Sequence, residues 1–403
     1  MRLPWGRQAW PTRRMRGLAE YINVARCLAT DSLSRYTSDM VVRLEHDWER
    51  TFHVSHAIAS TSGTAALHVA LGALDLPRDS DVVLPSITDP GTVMVVLMEG
   101  LRPVFVDSDP RTGLLSVESL EAQLTPRTRC VIAVHLFGCP ADMDAILEVT
   151  RPRGIRVIED CAQANGALYK GRYVGTSGDA GTFSFQALKH VHCGEGGLTV
   201  FTDPQLAERG ALFADKGWQR SGPNRGIVQR GLNYRMSALQ AAVLRARLPR
   251  LPSILAKHRA LVACLAAALE GNGLITPPSA PPGTQPSWWV VPLQTQRLIR
   301  PDLHAELSAA LQSVGAPVSA RYLAKPLHHQ PFVRQQLGVV DAEPCPRALE
   351  FLDRTLALSI HEGLSDSHMR LVADVVNRIA TAHRFHEVKH DGIDTRYSHV
   401  GSR

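Results

Sequence analysis

The 403-residue sequence contains no long uninterrupted apolar run and no two cysteines at the spacing C-x-x-C. No stretch approaches the roughly 18 uncharged apolar residues that a transmembrane helix requires, and the basic N-terminal segment lacks the apolar part of a signal peptide. The seven cysteines are scattered and never form a C-x-x-C pair, which argues against a disulfide framework and against a zinc ribbon. These absences predict a cytoplasmic protein with reduced cysteines and no membrane partner.

Lysine is also scarce, since only six of the 44 basic residues are lysine. The formal net charge of +6 comes largely from residues 1–16, which contain five arginines and no acid. We expect this arm to be a solvated terminus and not a contact for nucleic acid. Against this background Lys189 stands out, because it lies between a strand-like run and a glycine-rich turn in "GTFSFQALKHVHCGEGG" (181–197).

Short β-branched runs alternate with helical patterns from about residue 55 to residue 202. The predicted strands span residues 56–60, 81–85, 102–107, 129–135, 155–160, 181–185 and 197–201. Several of these runs are apolar almost throughout, as expected of strands that are covered on both faces. The pattern predicts an α/β fold with a mostly parallel sheet, in which ligands bind beyond the carboxyl ends of the strands.

The chain divides into four predicted segments. They are an N-terminal arm (1–45), a large domain (46–254), a smaller C-terminal α/β domain (255–383) and a disordered tail (384–403). After residue 233 the pattern is helical, and we expect the helical segment to bend near Pro249 and Pro252. The proline-rich stretch 276–286 predicts a loop within the smaller domain.

Three chemically suitable groups follow predicted strands, and a fourth feature opens a helix. Asp160 ends one strand, Ser184 ends another, and Lys189 follows Ser184 closely. The helix entry in "STSGTAAL" exposes backbone N–H groups that can bind an anion. A carboxylate, a lysine, a hydroxyl and an amide-rich helix start suit a phosphorylated, electron-withdrawing cofactor that forms a Schiff base with the lysine.

Pyridoxal phosphate requires this set of groups. Its pyridinium nitrogen needs a carboxylate such as Asp160, which would keep the nitrogen protonated through a charge-assisted hydrogen bond of about 1.5 to 3 kcal/mol. Lys189 would anchor the cofactor and, once an amino donor releases it, would act as the acid and base that moves the Cα proton. The sequence therefore predicts a pyridoxal-phosphate enzyme.

Five ordered motifs resemble those of the DegT/DnrJ/EryC1/StrS sugar aminotransferases, which are fold-type-I pyridoxal-phosphate enzymes of the aspartate aminotransferase superfamily. They are "ASTSGTAALHVALGAL", "PVFVDSD", "IEDCAQANGALYKGRYVGTSGDAGTFSF", K-x4-GEGG and "GLNYRMSALQAAV". The resemblance covers residues 40–250 strongly and the remainder loosely. It implies a large domain with a mostly parallel, mixed seven-stranded sheet, and a smaller C-terminal α/β domain.

The resemblance also implies roles for individual residues. Lys189 and Asp160 are the predicted catalytic pair. The predicted cofactor-binding residues are Ser62, Gly63, Thr64, Asp89, Asp160, Gln163, Ser184, Lys189 and Asn233. The predicted substrate-binding residues are His135, Tyr234, His328 and His329. In this family the asparagine of the N-Y-R motif reaches the cofactor phosphate of the other subunit, so Asn233 implies a homodimer with shared sites.

The implied reaction transfers an amino group from glutamate or glutamine to a keto-sugar or a cyclitol ketone, with pyridoxamine phosphate as the intermediate form of the cofactor. The context would be amino-sugar or aminocyclitol antibiotic or polysaccharide biosynthesis. One departure concerns specificity: where the family usually has an aromatic residue that stacks on the cofactor ring, this chain has Asp89. Either another side chain covers that face or the ring is held less tightly.

Other interpretations remain open at this point. The family includes sugar dehydratases with histidine in place of the lysine, and His190 lies next to Lys189. A non-catalytic, regulatory pyridoxal-phosphate protein is a third possibility. We expect no metal site, because His190, His192 and Cys193 lack a second ligand pair. The pair Trp288–Trp289 is interpreted as core of the smaller domain.

Overall fold

The computed structural model describes residues 17–390, except 224, 297–300 and 338–342. The basic arm at 1–16 and residues 391–403 of the predicted tail therefore lie outside the described residues. The elements alternate in type through the first two thirds of the chain, as the sequence pattern predicts.

A mixed seven-stranded sheet forms the centre of the larger part. Its strands are β1 (His56–Ser60), β2 (Asp81–Pro85), β3 (Arg102–Val106), β4 (Thr128–Val134), β5 (Arg156–Asp160), β8 (Ala180–Ser184) and β9 (Gly197–Phe201). They lie in the order β1-β9-β8-β5-β4-β2-β3, and β9 runs antiparallel to both of its neighbours. The seven predicted strands agree with these bounds to within one residue at either end.

The remaining strands form three further sheets. One consists of β6 (Leu168–Tyr169), β7 (Arg172–Tyr173) and β13 (Thr284–Gln285), and β10 (Trp218–Gln219) forms a hairpin with β11 (Gly226–Ile227). The C-terminal part has an antiparallel four-stranded sheet of β12 (Ile275–Thr276), β14 (Val290–Thr295), β15 (Val318–Ser319) and β16 (Thr355–Ser359).

Helices cover the two larger sheets. They are α1 (Leu18–Ala29), α2 (Met40–Phe52), α3 (Gly63–Leu74), α4 (Pro90–Met98), α5 (Val117–Gln123), α6 (Met143–Thr150), α7 (Pro204–Ala214), α8 (Ala238–Arg247), α9 (Leu251–Ala268), α10 (Pro301–Ser313), α11 (Pro331–Leu337), α12 (Pro346–Arg354) and α13 (Asp366–His390). The central helix α3 is buried along almost its whole length, because β1, β8 and β9 lie beneath it and α4 and α7 flank it.

Apolar side chains form two separate core clusters. The larger one surrounds the seven-stranded sheet and includes Trp48, Phe183 and Phe185, with the Trp48 ring packed edge to face on the other two. The smaller one fills the space between the four-stranded sheet and helices α9, α10 and α13. Helix α13 continues to His390, so the first residues of the predicted disordered tail are helical. The exact domain boundaries stay a prediction.

The long helical segment after residue 233 is interrupted where prolines occur. A short 3-10 turn at Leu248–Arg250 separates α8 from α9, near Pro249 and Pro252. Proline removes a backbone donor and disturbs the preceding turn, which explains the break. By length and composition alone, the stretch Ala238–Ala268 would suffice to cross a membrane. Since much of this stretch packs against the two cores, it is weak evidence for a membrane span.

Candidate active site

The carboxyl ends of β2, β5 and β8 and the start of α3 surround one cavity of about 360 Å³. Eight of the nine residues predicted to bind the cofactor line this cavity; they are Ser62, Gly63, Thr64, Asp89, Asp160, Gln163, Ser184 and Lys189. Asn233 is the exception. The topology thus gathers residues that are up to 127 positions apart in the chain, from Ser62 to Lys189.

Lys189 lies on a turn that follows β8. The turn is held by Gln186, whose carbonyl oxygen accepts the backbone N–H of Lys189 at 2.8 Å and whose side-chain oxygen accepts that of Leu188 at 2.8 Å. The lysine side chain is buried, and its Nζ lies 3.7 Å from the centre of the Trp289 ring. Burial lowers the pKa of Lys189 to about 8, although Asp160 and Asp89 oppose this effect by attracting the ammonium.

Asp160 is the last residue of β5 and faces the cavity. Its carboxylate accepts the backbone N–H of Ala162 at 3.0 Å and the hydroxyl of Thr92 at 3.3 Å. Burial raises the pKa of Asp160 above the ordinary aspartate value, against these two donors and the charge of Lys189. A buried carboxylate with so few donors favours a cationic partner, and a protonated ring nitrogen would provide one.

Helix α3 begins beside the end of β8, at the wall of the cavity. Ser62 caps the helix by accepting the N–H of Ala65 at 3.1 Å, and Gly63 and Thr64 open the first turn at the cavity wall. Gly63 approaches Ser184 so closely that an added Cβ would lie 2.7 Å from the Cβ of Ser184. The N–H groups of a first helical turn have no partner inside the helix, so this place suits a phosphate.

Asp89, at the position of the expected stacking aromatic residue, is an N-cap. Its carboxylate accepts the N–H of Gly91 at 2.8 Å and so caps α4, whose first residue is Pro90. The side chain is exposed at the mouth of the cavity. The aromatic side chain that lines the cavity is instead Trp289, which reaches it from the small domain.

The two tryptophans at 288 and 289 therefore have different roles. Trp288 is buried in the core of the small domain, as the sequence predicts. For Trp289 that interpretation is wrong, because its indole lines the cavity and packs at the edge of the larger core. The sequence offers no local signal for this, since Trp289 comes from a segment 100 residues beyond Lys189.

Both the oxygen and the nitrogen of the Gln163 side-chain amide form hydrogen bonds. Its oxygen accepts the N–H of Phe137 at 2.7 Å, and its nitrogen donates to the hydroxyl of Tyr322 at 2.8 Å. Burial raises the pKa of the Tyr322 phenol well above its ordinary value, so this hydroxyl stays neutral. The sequence predicts neither Tyr322 nor Thr92 for the site. Tyr322 contacts Gln163 and Thr92 contacts Asp160, but neither residue belongs to one of the five ordered motifs.

The comparisons with known proteins agree with this geometry. The model of the DegT/DnrJ/EryC1/StrS aminotransferase family matches residues 18–377. The chain belongs to the DegT/DnrJ/EryC1/StrS aminotransferase family. The predicted family, fold class and enzyme class are thereby confirmed.

Several relatives of this aminotransferase are sugar aminotransferases. The UDP-N-acetyl-3-dehydro-alpha-D-glucosamine 3-aminotransferase of Acidithiobacillus ferrooxidans is 35% identical over 329 residues, which are 81% of this chain and 84% of that protein. The GDP-perosamine synthase of Caulobacter vibrioides is 39% identical over 271 residues, 66% of this chain and 71% of that protein. Dehydratase and regulatory functions are not favoured by these relatives.

A solved structure shares the fold. The structure of S. venezuelae DesV in complex with a ketimine intermediate has a TM-score of 0.81 and 31% sequence identity, and the match covers 90% of this chain and 94% of that chain. The family thus implies pyridoxal phosphate as the cofactor. The donor set fits this group, since a lysine, a carboxylate and a helix-start cradle that a Cβ at residue 63 would fill meet in one cavity.

Other predicted residues of this aminotransferase lie away from the cavity. His135 is fully buried, accepts the N–H of Ala141 through Nδ1 at 3.0 Å, and contacts Glu159 through Nε2 at 3.1 Å. It therefore supports the loop after β4, which includes Phe137, and does not line the cavity.

Tyr234 and Asn233 point in other directions. The Tyr234 hydroxyl contacts Nδ1 of His68 at 2.8 Å, and Nε2 of His68 contacts Glu99 at 2.8 Å. Asn233 pairs with Asp215 through its backbone, is exposed, and does not line the cavity.

His328 and His329 share the carboxylate of Glu343 as their partner. Their Nε2 atoms lie 2.7 and 2.6 Å from its two oxygens, and neither histidine lines the cavity. This group, and the group of His135, Glu159 and Cys161, are the two places where the described residues bring three potential metal ligands within 4.8 Å. Hydrogen bonds between imidazole and carboxylate account for both groups.

Proposed function

We propose that this aminotransferase moves an amino group from glutamate or glutamine to the ketone of a nucleotide-activated sugar, with pyridoxal phosphate held in the cavity described above. One observation supports the proposal most strongly. A buried lysine with a lowered pKa, a buried carboxylate and a helix start line the same cavity. We retain a cyclitol ketone as the alternative acceptor.

The cofactor, when bound, supplies an electron-accepting ring that stabilises negative charge at the carbon to which nitrogen is attached. The residues of this chain supply the remaining functions. Lys189 anchors the cofactor and, when its amine is free, accepts and returns the proton at Cα. Asp160 would hydrogen-bond the ring nitrogen and keep it protonated. Gly63, Thr64 and Ser184 would bind the phosphate.

The proposal of a sugar acceptor is supported by the relatives, whose names specify UDP-linked and GDP-linked sugars. Within the cavity, the exposed carboxylate of Asp89 and the indole of Trp289 are suited to a polyhydroxylated ring, because hydroxyls donate to a carboxylate and the apolar face of a sugar packs on an aromatic ring. Antibiotic or polysaccharide biosynthesis would be the context.

The first test follows the visible absorbance of the purified protein with pyridoxal phosphate, before and after glutamate or glutamine is added. We expect one donor to remove the band of the lysine-bound cofactor, and a keto-sugar nucleotide to restore it. Lys189→Ala should show no such band, whereas Lys257→Ala, a change at a partly exposed position of α9, should behave like the wild type. A wild-type protein whose band responds to neither donor would contradict the proposed reaction.

We also propose a homodimer in which each cavity is completed by Asn233 of the second subunit. Support comes from the exposed position of Asn233 and from apolar side chains around the β10–β11 hairpin, of which Ile227 is 79% exposed. A second copy of this chain would cover them.

Subunit mixing tests this arrangement. Lys189→Ala and Asn233→Ala proteins should each have little activity alone. After they are unfolded and refolded together, about one quarter of the wild-type sites should be active, since half of the random dimers are mixed and each mixed dimer has one intact site. A mixture no more active than its two parents would show that Asn233 does not act across subunits.

A further inference from the structure

The ammonium of Lys189 lies over the indole ring of Trp289. The Nζ atom lies 3.7 Å from the ring centre, well within the roughly 6 Å over which a cation is attracted to an aromatic face. Among the described residues, no side-chain oxygen accepts a hydrogen bond from this ammonium. Tryptophan has the strongest such attraction of the aromatic side chains, and exclusion of water strengthens it.

Trp289 is fixed in this position from two directions. Its indole N–H donates to the carbonyl oxygen of Leu188 at 2.8 Å, which ties the ring to the turn that contains Lys189. Its backbone N–H donates to the carbonyl oxygen of Phe137 at 2.9 Å. Thus a residue at the start of the small-domain sheet is anchored to two loops of the large domain.

The chain approaches so closely here that only glycine fits at position 138. Gly138 has φ +89°, and an added Cβ would lie 2.7 Å from the backbone N of Trp288 and 2.9 Å from that of Trp289. Both the left-handed conformation and the contact exclude a side chain. The position of the Trp289 ring is therefore set by backbone packing as well as by its own hydrogen bond.

The two carboxylates near Lys189 do not replace the indole. Asp160 and Asp89 attract the ammonium through space, but they accept their hydrogen bonds from Ala162, Thr92 and Gly91 instead. An amine that is hydrogen-bonded to a carboxylate would keep its proton too firmly for a group that must exchange protons at neutral pH. An aromatic face attracts the ammonium through the ring quadrupole and has no carboxylate oxygen to hold the proton.

We propose that Trp289 is a positioning residue that binds the protonated free amine of Lys189 on its indole face and holds it beside Asp160. Whenever the lysine is not covalently bound to the cofactor, its amine rests on this ring. The consequence for catalysis rests on the proposed function, but the contact itself is a property of the cofactor-free chain and can be tested there.

The experiment measures the pKa of Lys189 in the full-length, cofactor-free protein. Brief acetylation with acetic anhydride at a series of pH values, followed by peptide mass spectrometry, gives each lysine its own titration curve, and only six lysines need to be resolved. Lys257, which lies 3.8 Å from Asp366 at a partly exposed position, is the internal reference. We expect Trp289→Leu to lower the pKa of Lys189 by about one unit, because the cation loses its aromatic partner.

Two further variants separate the causes. Trp289→Phe keeps an aromatic face but loses the indole N–H donor, so its shift should be about half that of Trp289→Leu. Trp218→Phe is the matched control, because Lys216 lies 5.2 Å from the Trp218 ring in an exposed pair of the same kind; it should leave the pKa of Lys189 unchanged.

Two outcomes would overturn the proposal. If Trp289→Leu leaves the pKa unchanged or raises it, the ring serves only to exclude water. If Trp289→Phe shifts the pKa as much as Trp289→Leu, the hydrogen bond to Leu188 matters and the aromatic face does not.

A second measurement keeps the proposal testable should Trp289→Leu fail to fold. The tryptophan fluorescence of the wild-type protein should change at the pH where Lys189 titrates, and Lys189→Met should lack this step. A fluorescence that does not respond to pH there would contradict the contact. Because both readouts use the cofactor-free chain, their failure is distinguishable from a failure of amino transfer.

Discussion

Two adjacent carboxylates at the end of β5 have opposite surroundings. Successive side chains of a strand point to opposite faces of the sheet, so Glu159 and Asp160 are separated by the sheet although they are neighbours in sequence. Glu159, on the face away from the cavity, accepts the N–H groups of Gly175, Ser177 and Gly178 at 2.7 to 2.8 Å and contacts His135 at 3.1 Å. The carboxylate of Asp160, on the cavity face, accepts only two hydrogen bonds from the described residues.

The pKa of each group follows from this difference. Burial raises the pKa of Glu159, but the contact with His135 and the backbone donors outweigh it, so the pKa ends below the ordinary value. For Asp160 burial prevails, and the pKa ends above the ordinary value. A fully satisfied buried carboxylate stabilises the fold, whereas an incompletely satisfied one is prepared for a ligand. A substitution of Asp160 should therefore lower mainly the activity, and a substitution of Glu159 should lower mainly the stability.

The largest effect is expected from Asp160→Asn on catalysis. The amide has the same shape but no charge, so it cannot keep the ring nitrogen of the cofactor protonated. The rate of the first half-reaction, measured by single-turnover absorbance, should fall about 100- to 1,000-fold. The free energy of unfolding of the cofactor-free protein should change by less than about 1 kcal/mol, because only two hydrogen bonds depend on the carboxylate. If Asp160→Asn reacts at the wild-type rate, Asp160 does not have the proposed role.

Glu159→Gln should show the reverse profile. The amide nitrogen of the new glutamine would face backbone donors, so we expect the free energy of unfolding, measured by urea titration, to fall by about 3 kcal/mol. The rate of the first half-reaction of the folded protein should change by less than about tenfold. Since folding lowers the pKa of Glu159, its contribution is present above the ordinary glutamate pKa and is lost as the pH falls through the folded value. The unfolding free energies of the wild type and the variant should therefore converge as the pH falls. A difference between them that stays constant with pH would contradict this expectation.

Gly63→Ala probes the cavity face without touching Glu159. The added methyl group would lie 2.7 Å from the Cβ of Ser184, where the phosphate cradle is proposed. Overpacking of this kind costs about 2 kcal/mol, so the affinity for pyridoxal phosphate, measured by fluorescence titration, should fall roughly 30-fold. Gly154→Ala is the control for cofactor affinity alone: its φ of +66° makes the change strain the backbone, but the added Cβ at that distant turn would have no neighbouring atom within 4 Å. Equal cofactor affinities in the two variants would refute the cradle.

The smallest effect is expected from Tyr322→Phe. This change removes the acceptor of the Gln163 side-chain N–H and costs about 1 kcal/mol of cofactor binding, a change of roughly fivefold in affinity. Tyr21→Phe, on the exposed side of α1, should leave the affinity unchanged. If Tyr322→Phe also leaves it unchanged, the orientation of Gln163 does not depend on this hydrogen bond.

Much of the fold and most of the cavity can be predicted from local patterns. Strands that are covered on both faces are nearly continuous apolar runs in the sequence, so the seven strands of the large sheet are easy to locate. Lys189, Asp160 and Ser184 follow such strands, and the carboxyl ends of parallel strands meet at one edge. Local patterns do not predict the direction of a side chain when that direction depends on distant neighbours. His135 and Tyr234 are therefore predicted at the site, although their hydrogen-bond partners direct both of them away from the cavity.

Residues close together in the chain are sufficient to specify the strands, the helix starts, the lysine turn and, through the ordered motifs, the family, because periodicity and capping act over short distances. The contact of Trp289 with Lys189 and the support of Gln163 by Tyr322 have a different origin. These partners come from segments 100 and 159 residues away, and they meet because the small domain packs against the loops of the large one.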